Sequence, residues 1–160
     1  MKTILFVCTG NTCRSPMAAA LLQGTLNRLG IGEDQISVLS AGIFASEGQP
    51  ASFQAVEVMQ EKELPLENHR SRRVTPRLLE SADLIFTMTA AHRQSVLMMD
   101  AAAAGRVFTL TEYVTGDPEA GEVPDPFGGS VTVYRQTADY LETLIHQLAL
   151  QLKERVVEGR

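Results

Sequence analysis

The segment Cys8-Thr9-Gly10-Asn11-Thr12-Cys13-Arg14-Ser15 places a nucleophile, two conformationally permissive residues and a guanidinium on one short stretch of chain. Five residues separate Cys8 from Arg14. A loop this short must curl, and its successive N–H groups then turn into one concavity that suits an oxyanion. Gly10 and Asn11 best tolerate left-handed backbone conformations. Arg14 offers a planar fork that matches two oxygens of a phosphoryl group. The fields that hold a phosphate also stabilise a thiolate, so the Cys8 thiol is expected below its free value of about 8.5. A thiolate facing phosphorus, with donors set around the transition-state oxygens, is a strong nucleophile. No Gly-Lys-Ser/Thr follows the loop, so it is not a nucleotide-binding loop.

The elements that must position this loop are legible on either side of it. Thr3 to Val7 is a short apolar run rich in strand formers, and Ile36 to Leu39, Asp83 to Thr87 and Val107 to Leu110 resemble it. Helical patterns lie between them: Pro16 to Leu29, Ser52 to Glu61, Thr75 to Glu80, Ala90 to Ala104, and Ser130 to about Val157. In the last, Val133, Tyr134, Leu141, Leu144, Ile145, Leu148 and Leu152 form one stripe. Met59, Met88, Met98 and Met99 read as core filling. Ser15-Pro16 and Thr75-Pro76 each put a capping hydroxyl before a proline at the first helical position, and Gly30 closes the first helix. The alternation of strands and helices makes a parallel sheet covered on both faces. In such a sheet ligands bind beyond the carboxyl ends of the strands, near helix N-termini, where the Cys8 loop lies. Thr111 to Gly129 is a long irregular loop, of the kind that is usually functional.

Composition narrows the function. The chain has 160 residues, 44% hydrophobic and 21% charged, which suits one domain spanning 1–160 with a core of full size. A net charge of −5 argues against nucleic acid and anionic membranes as partners. The N-terminal apolar run is too short for a signal peptide and no stretch reaches a membrane span, so a cytoplasmic location is expected. Cys8 and Cys13 are too few for a disulfide framework, and His69, His92 and His146 are scattered, so no metal site is expected. Cys13 on the same tight loop could capture an oxidised Cys8 as a reversible disulfide, a redox-sensitive device.

With these residues in view, the loop resembles the signature of the low-molecular-weight protein-tyrosine phosphatases: cysteine, five residues, then Arg-Ser, near the start of a small α/β domain. Ser40-Ala41-Gly42, Asn68-His69-Arg70-Ser71 and Pro124-Asp125-Pro126-Phe127-Gly128 match further family segments in order along the chain. The resemblance implies a single-domain three-layer α/β/α fold with a four-stranded parallel sheet in the order 2-1-3-4. It implies that Cys8 attacks phosphorus to form a phosphocysteine, that Arg14 binds the phosphoryl oxygens, and that Asp125 protonates the leaving group, with no cofactor or metal. Thr9, Gly10, Asn11, Thr12, Cys13, Ser15 and Phe127 are then expected to bind substrate, and Ser40 and His69 to support the loop. From the residues alone His69 reads as a surface imidazole, and Asp117-Pro118 competes with Asp125-Pro126 for the acid role; the flanking Phe127 and Gly128 match the family around Asp125.

Within the family, Thr12 stands where tyrosine-specific members commonly carry Ile, and Phe127 where they often carry Tyr. Both resemble the bacterial protein-arginine phosphatases. A hydroxyl at Thr12 can accept a hydrogen bond from a guanidinium, whereas Ile would leave those N–H groups unpaired at a cost of about 1–3 kcal/mol. Phosphorylated proteins are the expected partners, phosphoarginine first and phosphotyrosine as the alternative, with inorganic phosphate as product and a monomer as the acting unit. An arsenate reductase on this scaffold needs further thiols, and no cysteine follows Cys13. A non-catalytic phosphate-binding module would tolerate loss of the nucleophile or acid, and both are present.

Overall fold

The computed structural model describes residues 2–159. Strand β1 (Lys2–Cys8) runs into helix α1 (Arg14–Arg28), and β2 (Ile36–Gly42) follows. Helices α2 (Phe53–Glu61) and α3 (Pro76–Ser81) precede β3 (Leu84–Thr87). Helix α4 (Ala90–Met99), a 3₁₀ turn (Ala101–Gly105), β4 (Val107–Thr109), α5 (Leu110–Thr115) and α6 (Val131–Val157) complete the chain. The strands are all parallel, in the order β2-β1-β3-β4. This is the expected 2-1-3-4 sheet.

The period of two along β1 sorts the core into two layers. Ile4, Phe6 and Cys8 face α1, α2 and α6, while Leu5 and Val7 face the side carrying Leu79 of α3 and Val96 of α4. On α6, Tyr134, Ala138, Leu141, Ile145, Leu148 and Leu152 recur at three- and four-residue steps and are buried against this core. Each large apolar side chain so buried contributes about 1.5–3 kcal/mol relative to exposure. Among the described residues, no helix is long and apolar enough to cross a membrane.

Helix ends follow local chemistry. Ser52, Thr75, Thr89, Thr109 and Ser130 each accept a first-turn N–H through the side chain. At the end of α1, Gly30 has φ 82°, and the Gly30 and Ile31 N–H groups bond the Asn27 and Leu26 carbonyls, which stops the helix.

The structure corrects several sequence expectations. Ser15 does not cap α1. Met17 N–H bonds Cys13 O, so the helix begins at Arg14 and the Ser15 hydroxyl is free for the loop. The Ala90–Ala104 pattern is broken at Asp100, whose carboxylate caps a separate 3₁₀ turn through Ala102 N–H. Met98 is 85% exposed and Met99 is 38% exposed, since α4 turns His92 and Val96 inward and those methionines outward. Val133 is likewise exposed. The start of the irregular stretch is helix α5, capped by Thr109 and closed by left-handed Gly116. It was too short to show a period.

Candidate active site

The carboxyl end of β1 delivers Cys8 to the mouth of a cavity of about 260 Å³, lined also by Thr9, Gly10, Thr12, Cys13, Arg14, Asp125 and Phe127. A cavity of about 360 Å³ opens at the opposite, amino end of the sheet, lined by Lys2, Ile36 and Asp83. It holds no cysteine, whereas Cys8, Arg14 and Asp125 all line the first.

The loop is held from below by Asn11, which is fully buried and left-handed at φ 57°. Its amide donates to Ser15 Oγ at 2.8 Å and to Ser40 Oγ at 3.0 Å. Its side-chain oxygen accepts the Arg72 N–H at 2.9 Å, and its backbone carbonyl accepts from His69 Nε2 at 2.7 Å. Four partners from three other segments thus fix a residue whose backbone would otherwise relax. Gly10, in contrast, does not take a positive φ; it lines the pocket without needing one. Ser15 Oγ lies 3.0 Å from Cys8 Sγ.

Arg14 is buried, donates from Nη1 to Val123 O at 3.1 Å, and brings Nη2 to 3.5 Å from Asp125. Asp125 Oδ1 accepts the Phe127 N–H, and the Phe127 ring stands 78% exposed at the pocket rim. Asp117 lies apart: its carboxylate accepts the Glu119 N–H within its own turn. Thr12 lines the pocket, and its hydroxyl makes a long 3.7 Å approach to Cys13 Sγ. Among the described residues both cysteines are free thiols. Cys13 Sγ lies 3.1 Å from the Tyr134 hydroxyl.

Burial pushes the Cys8 thiol above its ordinary range, while the Ser15 hydroxyl, the Ser15 and Asn11 N–H groups and the Arg14 charge pull it down. This is opposite in direction to the expectation from the loop alone. The reason is that Cys8 is also a core residue of β1, 3% exposed. Burial, with the Arg72 and Arg70 charges, holds His69 below its usual range, in keeping with a neutral imidazole donating from Nε2.

Several residues of the site were given no role in it from the sequence. His92 Nε2 meets Thr9 Oγ1 at 2.8 Å. Burial, aided by the Arg14 charge, lowers its pKa to about 4, and its Nδ1 is buried with no hydrogen-bond partner among the described residues. Val123 contributes only a carbonyl. Tyr134, read as a stripe residue, also backs the loop through Cys13; burial and that contact push its hydroxyl up to about 12. Gly42 pairs with Cys8 across β1 and β2, where the loop backbone passes too close for any side chain. His92 and Tyr134 are fixed by long-range packing, and no local motif could have found them.

Comparisons with known proteins identify the family of this chain. The model of the family described as "Low molecular weight phosphotyrosine protein phosphatase" matches residues 3–158. The protein-arginine-phosphatase of Bacillus subtilis (strain 168) is 50% identical over 94% of this chain and 97% of its own length. The low molecular weight protein-tyrosine-phosphatase PtpB of Staphylococcus haemolyticus (strain JCSC1435) is 43% identical over 91% of this chain and 96% of its own. A solved structure of a YwlE arginine phosphatase mutant with a phosphorylated active-site serine superposes with a TM-score of 0.89 at 49% identity, covering 94% of this chain and 95% of that one. The chain belongs to the low molecular weight phosphotyrosine protein phosphatase family.

Proposed function

We propose that this protein hydrolyses phosphoarginine in protein substrates through a phosphocysteine at Cys8. The Cys8 thiolate attacks phosphorus while Arg14 and the loop N–H groups hold the phosphoryl oxygens. The P–N bond breaks, its electron pair stays on the guanidine nitrogen, and Asp125 supplies the proton that nitrogen takes up. Water then attacks the phosphocysteine, Asp125 takes the water proton, and the S–P bond breaks to release inorganic phosphate and the thiolate. The Ser15 hydroxyl, 3.0 Å from the sulfur, eases that departure by donating to it.

The observation that carries the choice of phosphoarginine is that Thr12 lines the same pocket as Asp125 and the exposed Phe127. A guanidinium brings N–H donors that Thr12 and Asp125 can accept, and a planar cation that stacks on Phe127. The relative at 50% identity, named a protein-arginine-phosphatase, supports the same reading. Phosphotyrosine is the second reading, supported by the relative named a tyrosine phosphatase. Thr12→Ile separates them. It should lower kcat/KM on a phosphoarginine peptide by about 10- to 100-fold, because buried guanidinium donors lose their acceptor, and spare or raise turnover of the matching phosphotyrosine peptide. An unchanged ratio would refute the role of Thr12.

A further inference from the structure

Beside the catalytic loop lies a second, charged cleft of about 420 Å³ that the reaction does not use, lined by Arg72, Arg73 and Arg77 with Glu47, Thr75 and Ser81. The guanidinium groups of its three arginines are exposed and make no ion pair or hydrogen bond among the described residues. The other arginines of the described chain reach carboxylates, carbonyls, a hydroxyl or a ring, as Arg106 reaches Asp100 and Arg135 reaches Glu61. Glu47 is occupied, its carboxylate accepting the Arg73 N–H, and Thr75 and Ser81 bond their own helix. The cleft therefore presents a local excess of positive charge on a chain whose net charge is −5.

These cations are held rigidly next to the site. Arg72 N–H bonds Asn11 Oδ1, Arg72 O accepts the Gly42 N–H, and Val74 N–H bonds Gly42 O. Arg73 bridges to Gly42, which pairs with Cys8 across the sheet. Two strand spacings of about 4.8 Å put the Arg73 backbone roughly 10 Å from that of Cys8. An extended peptide covers that distance in about three residues, and the long arginine side chains reach one or two residues further.

We propose that this cleft docks the carboxylates of an acidic stretch in a protein substrate, roughly three to five residues from the phosphorylated side chain. The proposal rests on the phosphoprotein phosphatase reading above and adds a sequence preference to it. Planar guanidinium forks suit carboxylates, and exposed charges of this kind act on KM and on encounter more than on the chemical step.

The test uses two phosphoarginine peptides that differ only by three Glu or three Gln placed three to five residues from the phosphorylated position. Each is given to the wild-type protein and to Arg73→Glu/Arg77→Glu, with p-nitrophenyl phosphate as a small substrate that cannot reach the cleft. The wild type should favour the acidic peptide about five- to tenfold, through KM, at low ionic strength, and lose that preference in 0.5 M salt. The double variant should lose or reverse the preference while hydrolysing p-nitrophenyl phosphate at the wild-type rate. Equal KM for the two peptides in the wild type, or a preference that survives in the variant, would overturn the proposal. If neither phosphoarginine peptide is turned over while p-nitrophenyl phosphate is, the phosphoarginine reading fails instead. The same pair of peptides carrying phosphotyrosine then decides the docking surface by the same outcomes.

Discussion

A Cβ on Gly42 would stand 2.5 Å from the carbonyl oxygen of Thr9 and 2.9 Å from the Asn11 nitrogen. Both atoms are backbone of the catalytic loop, which is already braced by the Ile43 and Phe44 N–H bonds to Cys8 and Thr9. Gly42→Ala should therefore push the loop rather than a flexible side chain. Displacement near 1 Å at a reacting centre costs on the order of 100-fold. Turnover of p-nitrophenyl phosphate should fall by about that factor, with the folded state retained by circular dichroism. Activity within twofold of wild type would show that the loop does not depend on this close approach.

Asp125 and Asp117 make a controlled pair. Only Asp125 lines the Cys8 cavity and faces Arg14. Asp125→Asn should lower kcat by about 10²–10⁴-fold, as loss of a general acid does, whereas Asp117→Asn should change it by less than about twofold. Steady-state kinetics on a phosphoarginine peptide decide it, and similar losses in both variants would contradict the assignment.

His92 links the loop to acid stability. Its folded pKa of about 4 lies below the ordinary value of 6.5. The unfolded chain thus binds the extra proton first as pH falls. Stability from the neutral, buried ring is fully present above about pH 6.5 and is lost as pH falls toward 4, by ~3 kcal/mol over that window. His92→Gln keeps a neutral group able to bond Thr9 and should flatten this part of the Tm–pH curve. A variant with the same acid slope as wild type would rule out His92 as its source.

Cys8, Arg14 and Asp125, which the structure brings to one cavity, could be singled out because each carries a local pattern. A cysteine and an arginine six positions apart at a strand-to-helix junction have few other uses, and Asp125-Pro126-Phe127-Gly128 carries its own flanking pattern. The four strands were legible as short apolar runs, with ends that moved by a few residues: β2 extends to Gly42 because it must pair with Cys8. What stayed hidden is non-local. His92, Tyr134 and Val123 enter the site by approach across the fold, and a histidine on a helix looks alike with or without such a neighbour. The burial of Cys8, which opposes the lowering by the loop donors, was hidden for the same reason, since the loop argument left out the core beneath them.

Cys13 offers a redox prediction. Cys8 and Cys13 belong to one tight loop and both are free thiols. Peroxide should convert Cys8 to a sulfenic acid that the Cys13 thiol attacks, releasing water and forming a disulfide. Thiol reductant should then restore most of the wild-type activity and much less of that of Cys13→Ser. Equal recovery in the two proteins would exclude Cys13 as the resolving thiol.

The most direct measurement is phosphate release from one peptide made in two forms, phosphoarginine and phosphotyrosine, with Cys8→Ser run beside the wild type. A kcat/KM at least about tenfold higher for phosphoarginine, abolished in Cys8→Ser, is the result expected of a phosphoarginine phosphatase acting through Cys8. A preference for phosphotyrosine, or phosphate release that survives the loss of the Cys8 thiol, would contradict it.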